Sequence, residues 1–300
     1  MNDDELLDCL IVGGGAAGLT AAVYLGRYKR RALVLDDDGS RLKWIPRTRN
    51  MPGFPDGIDG PELLERMRKH AETYGMRTVR TRVERIERLA DGTFRADSAQ
   101  GSWRARFLLL ASGARDAEPD IEGMGAAIQA GQVRYCPVCD GYETQGQRVA
   151  VLGRGRHGLR ESVFIANWAQ ELTWLAMATQ DEVELPELAR LRGAGVRIAE
   201  SPPRRIECGV GGAGVRVELQ NGQVLEFDTL YPALGLHHAS ELATALGARA
   251  REDGQLEVDS HQQTSVDGLY VAGDVAVDLN QIAVATGHAA IAATAVHNRL

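Results

Sequence analysis

The chain has 300 residues, long enough for two domains with separate cores, and its 34 basic and 41 acidic side chains leave a net charge of −7. That acidic balance gives no support to a nucleic-acid partner, and the apolar and charged fractions are those of an ordinary water-soluble protein. The acidic start Met1-Asn2-Asp3-Asp4-Glu5 runs straight into an apolar strand and no apolar run approaches a membrane span, so the expected setting is the cytoplasm, where thiols stay reduced.

The first predicted strand, Cys9-Leu10-Ile11-Val12, leads into the glycine fingerprint Gly13-Gly14-Gly15-Ala16-Ala17-Gly18 and then into the helix-like run Leu19 to Leu25. In that context Gly13 allows the sharp turn and Gly15 lets backbone amides approach a pyrophosphate at a helix N-terminus. Gly18 lets the helix pack closely on the strand. A second strand, Ala32 to Leu35, ends at Asp36, about 20 residues further on, where an acid accepts hydrogen bonds from a ribose. An amphipathic helix is predicted from Pro61 to near Tyr74, with proline suited to the first turn. The Arg-rich stretch Arg77 to Arg88 is interspersed with Glu84 and Glu87 and reads as a solvated face. Short strands punctuated by Asp91-Gly92 and Gln100-Gly101 follow. They lead to the buried-looking strand Phe107 to Leu110 and the turn Ala111-Ser112-Gly113-Ala114.

The second half repeats this order. Strand Val149 to Leu152 leads into a second fingerprint, Gly153-Arg154-Gly155-Arg156-His157-Gly158, then a helix from about Arg160 to Ala169 and a strand, Leu172 to Ala176. Turns at Gly211-Gly212 and Asn221-Gly222 punctuate a meander expected to close with Thr229 to Gly235. In the tail, Leu269 to Ala272 is a strand ending in Gly273-Asp274, and an Ala-rich helix from Gln281 to about His297 returns to the first unit. Two similar nucleotide-binding units, one inserted into the other, account for the duplication. Asp274 is then placed for a flavin's ribityl chain, and the helix start near Gln281 for its ring.

Between the halves lies Cys136-Pro137-Val138-Cys139-Asp140-Gly141. A thiolate is the nucleophile, and it is favoured at a helix N-terminus, in a Cys-x-x-Cys pair and beside a proton donor. Pro137 puts Cys136 near a cap position and Cys139 one turn later on the same face, with Asp140 as the adjacent acid and base. A tetrahedral zinc site needs four ligands. Cys9 falls in a predicted buried strand and Cys208 in a distant meander, so redox chemistry is favoured over half a zinc site or a structural disulfide, and no metal is expected. His237 and His238 point to opposite faces of an extended strand. His288, on the tail helix, reads as a solvated helix histidine rather than a partner of the flavin or cysteines.

Through Gly13 to Gly18, Asn50-Met51-Pro52-Gly53-Phe54-Pro55, Cys136 to Gly141, Gly153 to Gly158, and Gly273-Asp274 with Asn280-Gln281, the chain resembles the low-molecular-weight thioredoxin reductases over nearly its whole length. The resemblance implies an α/β fold of two Rossmann-like, three-layer ββα domains, the second inserted into the first. Residues 1–117 and 236–300 would form an FAD domain, with Gly13, Gly15, Ala16, Ala17, Gly18, Asp36, Asn50, Gly113, Gly273, Asp274, Gln281 and Ile282 at the cofactor. Residues 118–235 would form a pyridine-nucleotide-type domain carrying the cysteines. A homodimer is implied as well. By the same resemblance Cys139 faces the flavin, Cys136 attacks the disulfide of thioredoxin or a similar small protein, and Asp140 protonates the departing thiolate.

The sequence also departs from that family. An NADPH-using member typically carries a His-Arg-Arg-like cluster after the second strand of its nucleotide unit, whereas Trp174 to Asp181 contains no Arg, Lys or His. Gly153, Gly155 and Gly158 keep the spacing for NADPH, but Arg154 and Arg156 stand where small or neutral residues are common, either binding phosphate or filling its pocket. Ser40-Arg41-Leu42-Lys43-Trp44 replaces a glycine-rich segment on the flavin side. Three readings follow. One is a disulfide reductase fed by NADPH or ferredoxin. Another is an oxidase of small-molecule dithiols that passes electrons to oxygen; such enzymes tend to carry His after the second cysteine, so Asp140 argues for the reductase. The third is a non-catalytic flavin- or nucleotide-binding regulator, for which the intact Cys136, Cys139 and Asp140 set would have no use.

Overall fold

The computed structural model describes residues 6–177, 185–209 and 214–300. The chain divides into an outer unit, Met1–Arg115 with His237–Leu300, and an inserted unit, Asp116–Leu236. The outer unit begins with β1 (Leu6–Val12), α1 (Ala16–Arg27) and β2 (Ala32–Asp36), then a 3₁₀ turn over Arg41–Trp44 and α2 (Gly60–Thr73). Strands β3 (Arg77–Arg80), β4 (Val83–Arg88), β5 (Phe94–Ser98), β6 (Gly101–Leu110) and β7 (Ala114–Asp116) follow.

The inserted unit carries α3 (Met124–Gln129), α4 (Pro137–Asp140), β8 (Arg148–Gly153), α5 (Gly155–Ile165), β9 (Glu171–Ala176), α6 (Leu185–Gly193) and β10 (Arg197–Ile198). It ends with β11 (Pro203–Cys208), β12 (Val215–Leu219), β13 (Val224–Phe227) and β14 (Thr229–Ala233). The chain returns through β15 (Leu236–His238) to α7 (Glu241–Thr244), β16 (Leu269–Val271) and α8 (Ile282–Asn298). No helix among the described residues is long and apolar enough to cross a membrane.

Each unit is built in three layers, and the strand sequences explain why. Neighbouring residues of a strand face opposite sides of a sheet. In β1, Cys9 and Ile11 enter a core with α1, α2 and α8, while Leu10 and Val12 enter another with Val83, Ile86 and Phe94 from β4 and β5. Burial on both faces requires the nearly continuous apolar run that marks a parallel strand. The outer sheet has the order β3-β2-β1-β6-β5-β4, with β16 also on β6. Pairing is parallel around β1 and antiparallel from β6 through β5 to β4.

The inserted unit divides the same way. A parallel sheet, β10-β9-β8-β14, lies between helices α5 and α6 on one face and the antiparallel meander β11-β12-β13 on the other. Two expectations need correction here. Thr229 to Ala233 does not close the meander: all five residues are buried, and the strand pairs in parallel with β8 from Thr229↔Val149 to Ala233↔Gly153. In β13, by contrast, only Phe227 is buried, as suits a strand of the outer meander layer. The helix predicted from about Arg160 begins earlier, at Gly155, because the fingerprint itself winds into its first turn.

Candidate active site

Cys136 is the N-cap of α4 and Pro137 occupies its first turn, where a missing backbone donor costs nothing. The Cys139 N–H donates to Cys136 O at 2.9 Å. This single turn brings the two sulfurs together, and they are joined as a disulfide with Cα atoms 5.2 Å apart. Asp140 closes the turn, and its carboxyl is held from two sides. Tyr231, on β14, donates from Oη to Asp140 Oδ1 at 2.6 Å. The Arg134 Nε lies 3.8 Å from Asp140 Oδ2.

Burial pushes the Asp140 carboxyl above the ordinary carboxylate range. The Tyr231 hydrogen bond and the Arg134 charge pull it back, and Glu143 adds a further upward push. Burial also raises the Tyr231 phenol, with the neighbouring Asp140 charge adding to the effect, so Tyr231 acts as a fixed donor. A carboxyl that keeps its proton to higher pH beside a reactive sulfur pair suits general acid chemistry. Around the pair, Val138 and Tyr142 are 46% and 68% exposed and present apolar surface. Gly141 is bare because a Cβ there would stand 3.3 Å from the Trp168 ring.

Neither Tyr231 nor Arg134 was expected from sequence. Tyr231 lies in an apolar run that reads only as strand, and its polar task exists because β14 leaves the meander to join β8. Arg134 did carry a signal, since it stands two residues before Cys136.

The second fingerprint is packed from within. A Cβ on Gly153 would meet Trp174 Nε1 at 2.5 Å, and one on Gly158 would meet the Gly153 Cα at 2.6 Å. Trp174, on β9, is 1% exposed and its Nε1 has no hydrogen-bond partner among the described residues. Arg154 is the exposed N-cap of α5, and Gly155 follows with φ of +53°. Strand β9 ends in Ala176 and Met177. Residues 178–184, Asp181 among them, the Gly211-Gly212 turn and the side chain of Arg156 lie outside the described residues.

The first fingerprint is built differently. Gly13 has φ of +108°, and a side chain there would strike the Ala111 carbonyl; a side chain on Gly18 would strike the Gly13 carbonyl. Asp36 is 5% exposed, and its Oδ1 accepts from the Gly14 N–H at 3.1 Å. The same Oδ1 accepts from the Asp38 N–H, while Oδ2 lies 3.4 Å from Arg68 Nη2. Asp38 is held down to about 2 by its hydrogen bonds from Lys43 and Arg68, with the Arg80 charge adding to them.

At the N-terminus of α1 no side chain caps Gly15, and a Cβ there would find only Ser40 within 4 Å, its Oγ at 3.3 Å. Ala16 and Ala17 start the helix. Gly273, with φ of +82°, lies against Ala17, where a Cβ would come within 3.0 Å of the alanine methyl. Asp274 follows and accepts from Arg41 Nη1 at 2.8 Å. Asn50 Nδ2 donates to Gln281 Oε1 at 2.8 Å, just ahead of Ile282 at the start of α8. Gly113, with φ of +71°, has open space on its Cβ side.

Among the remaining candidates, His288 corrects an expectation. It is buried, because the alanine-rich α8 turns the side of Ala285, His288, Ala289 and Ala292 inward. The His288 Nε2 stands 3.5 Å from Asp278 Oδ2. Cys9 is buried, which drives its thiol pKa strongly upward, and Cys208 is exposed on β11. No group of His, Cys, Asp and Glu among the described residues could hold a metal ion.

A Cys-x-x-Cys disulfide followed by a partly buried acid, on a fold of two glycine-loop units, defines a thiol–disulfide oxidoreductase. The chain belongs to the pyridine nucleotide-disulphide oxidoreductase family, whose model matches residues 7–289. It is 29% identical to the thioredoxin reductase of Bacillus subtilis (strain 168), over 99% of this chain and 96% of that one. The crystal structure of thioredoxin reductase from Streptococcus pyogenes MGAS5005 superposes with a TM-score of 0.88 at 26% identity, covering 98% of this chain and 97% of the other. A Pseudomonas fluorescens protein named glucosaminate ammonia-lyase is also 29% identical, over 89% of this chain and 87% of its own.

Proposed function

We propose that the protein is an FAD-dependent disulfide reductase that passes electrons through the Cys136–Cys139 pair to a disulfide of thioredoxin or a similar small protein. The observation that carries this reading is the Cys136–Cys139 disulfide followed directly by Asp140, whose carboxyl is held by Tyr231 at 2.6 Å and raised by burial. Exposed Val138 and Tyr142 supply apolar surface next to the pair for a protein partner. Thioredoxin reductases from B. subtilis and S. pyogenes, similar over nearly the whole chain, support the choice of partner.

The glycine cradle of the outer unit fits a dinucleotide, because Gly15 leaves the α1 N-terminus bare and open to a diphosphate. Gly13, Gly15, Ala16, Ala17 and Gly18 would hold that diphosphate, Asp36 the ribose, and Asp274 the ribityl chain. Asn50, Gly113, Gln281 and Ile282 would border the ring. When bound, the flavin supplies two-electron reduction of the cysteine pair.

In the reduced pair, the Cys136 thiolate attacks the partner's disulfide, forming a mixed disulfide and releasing one partner thiolate, which takes its proton from Asp140. The Cys139 thiolate then attacks the Cys136 sulfur. This releases the second partner thiolate, which takes its proton from water, and restores the Cys136–Cys139 bond, with two electrons passed to the partner. The protein works in the cytoplasm as a homodimer on this reading.

Reducing equivalents come from NADPH at the Gly153, Arg154, Gly155, Arg156 and Gly158 loop, or from ferredoxin. Ala176 and Met177, at the end of β9, carry no charge for a 2′-phosphate, so the choice of donor rests on experiment. Anaerobic stopped-flow titration of the yellow protein with NADPH separates the two. Rapid bleaching of the flavin band assigns the pyridine nucleotide. A band that persists with NADPH yet bleaches with reduced ferredoxin assigns the other. Failure of the reduced protein to cleave a thioredoxin-type disulfide overturns the reductase reading itself.

A further inference from the structure

The segment Ser40 to Trp44 places a guanidinium where the outer cradle has the most use for one. The 3₁₀ turn is fixed on both sides: the Ser40 hydroxyl accepts from the Leu42 N–H at 3.3 Å, and a side chain on Gly60 would strike the Leu42 carbonyl, so α2 begins flush against the turn. Ser40 thereby stands over Gly15, the bare N-cap of α1. Arg41 reaches from this turn to Asp274, which Gly273 brings against Ala17 in the first turn of the same helix. The Asp274 carbonyl faces His238 Nδ1 at 2.7 Å, fixing that strand end. One fork of Arg41 is thus anchored on a carboxylate at the rim of a loop whose amides are shaped for a diphosphate.

Charge alone makes this pairing informative. A diphosphate at the α1 N-terminus brings two negative charges toward Asp274, and their repulsion in a partly buried site opposes binding unless a cation intervenes. The nearby cations Lys43, Arg68 and Arg80 are engaged with Asp38 at the ribose end of β2. Arg41 stands at the other end, with the planar five-donor fork that can serve a carboxylate and a phosphate together.

We propose that Arg41 is a diphosphate ligand of the outer unit, bridging Asp274 and the diphosphate of a bound dinucleotide. The inference rests on the outer unit being the flavin-binding unit. No bond forms or breaks, and the only exchange is of Arg41 N–H donors from protein or water oxygens to phosphate oxygens.

The test is titration of flavin-free protein with FAD, followed by flavin fluorescence, and with ADP by calorimetry, each at low and high salt. Arg41→Gln is expected to weaken FAD and ADP about 10- to 100-fold. Its binding should also lose much of its salt dependence, while the variant's far-UV dichroism and melting temperature stay near those of the parent. Arg41→Lys keeps the charge without the fork and is expected to fall between the two, which keeps the test open should the glutamine variant fold poorly. Parental affinity in either folded variant overturns the proposal. A lower melting temperature with parental FAD affinity also overturns it, reducing Arg41 to a clasp for its turn. If the parent itself takes up no FAD, the flavin reading of the outer unit is what fails.

Discussion

The two glycine loops of this protein begin from the same strand-turn-helix pattern and are completed by opposite means. In the outer unit β1 and β2 pair Val12 with Leu35, so the next residue of β2 is Asp36, whose carboxylate accepts from the Gly14 amide and holds the loop. In the inserted unit β8 and β9 pair Leu152 with Leu175, and the residue at the register of Asp36 is Ala176. There the loop rests instead on the Trp174 indole. A polar brace leaves the amides at the α1 start bare, whereas the indole makes Gly153 a packing residue. The same spacing of glycines thus leaves the α1 N-terminus uncovered in one unit and serves side-chain packing in the other.

The largest expected effect tests the outer loop. Gly15→Leu, at a position with ordinary backbone angles where a Cβ meets only the Ser40 side chain, should give folded protein purified without yellow colour. Gly153→Ala in the other loop should keep its flavin, and a colourless product there would erase the distinction between the loops.

Next in size comes the chemistry of the inserted unit. Asp140→Asn should slow reduction of the partner's disulfide about 10²- to 10⁴-fold while leaving flavin reduction near the parental rate, as read by stopped-flow absorbance. Equal slowing of both steps removes the acid role from Asp140.

A smaller effect concerns the brace on that acid. Tyr231→Phe keeps the ring packing and deletes the hydrogen bond that lowers the carboxyl's pKa. Asp140 then holds its proton to higher pH. Because the acid form is active below the folded-state pKa and is lost as pH rises through it, the alkaline limb of disulfide turnover should move upward. A limb that stays put, or moves down, shows that Tyr231 does not set the acid.

Smallest is the packing of the second loop itself. Gly153→Ala drives a methyl against Trp174 and should cost about 1–3 kcal/mol, seen as a lower denaturation midpoint. Combination with Trp174→Phe should recover part of that loss, and full additivity would show that the two side chains do not compete for the same space.

Much of this was legible in the chain. Gly13 to Gly18 between an apolar strand and a helix, the Cys136-Pro137-x-Cys139 turn and the repeat of both halves are local patterns, and local patterns survive folding because steric rules of a few residues impose them. The partners of Asp140 were not legible. Tyr231 lies ninety-one residues from Asp140, and an apolar strand carries no mark of which buried phenol will find a carboxylate. His288 misled for a related reason: in a helix so rich in alanine the apolar stripe is too broad to show which side is buried.

The sequence by itself determined the α/β class, the two glycine turns and the redox pair, since each depends on spacing within one or two turns of chain. Tertiary structure decided what surrounds them. It turned Asp36 and Trp174 into different supports for similar loops, carried Tyr231 to Asp140 by moving β14 into the parallel sheet, and set Arg41 against Asp274 across 233 residues of chain. The physical reason is common to all three. Burial and charge act through space, and the strand order that brings distant side chains together is a property of the whole sheet rather than of any segment within it.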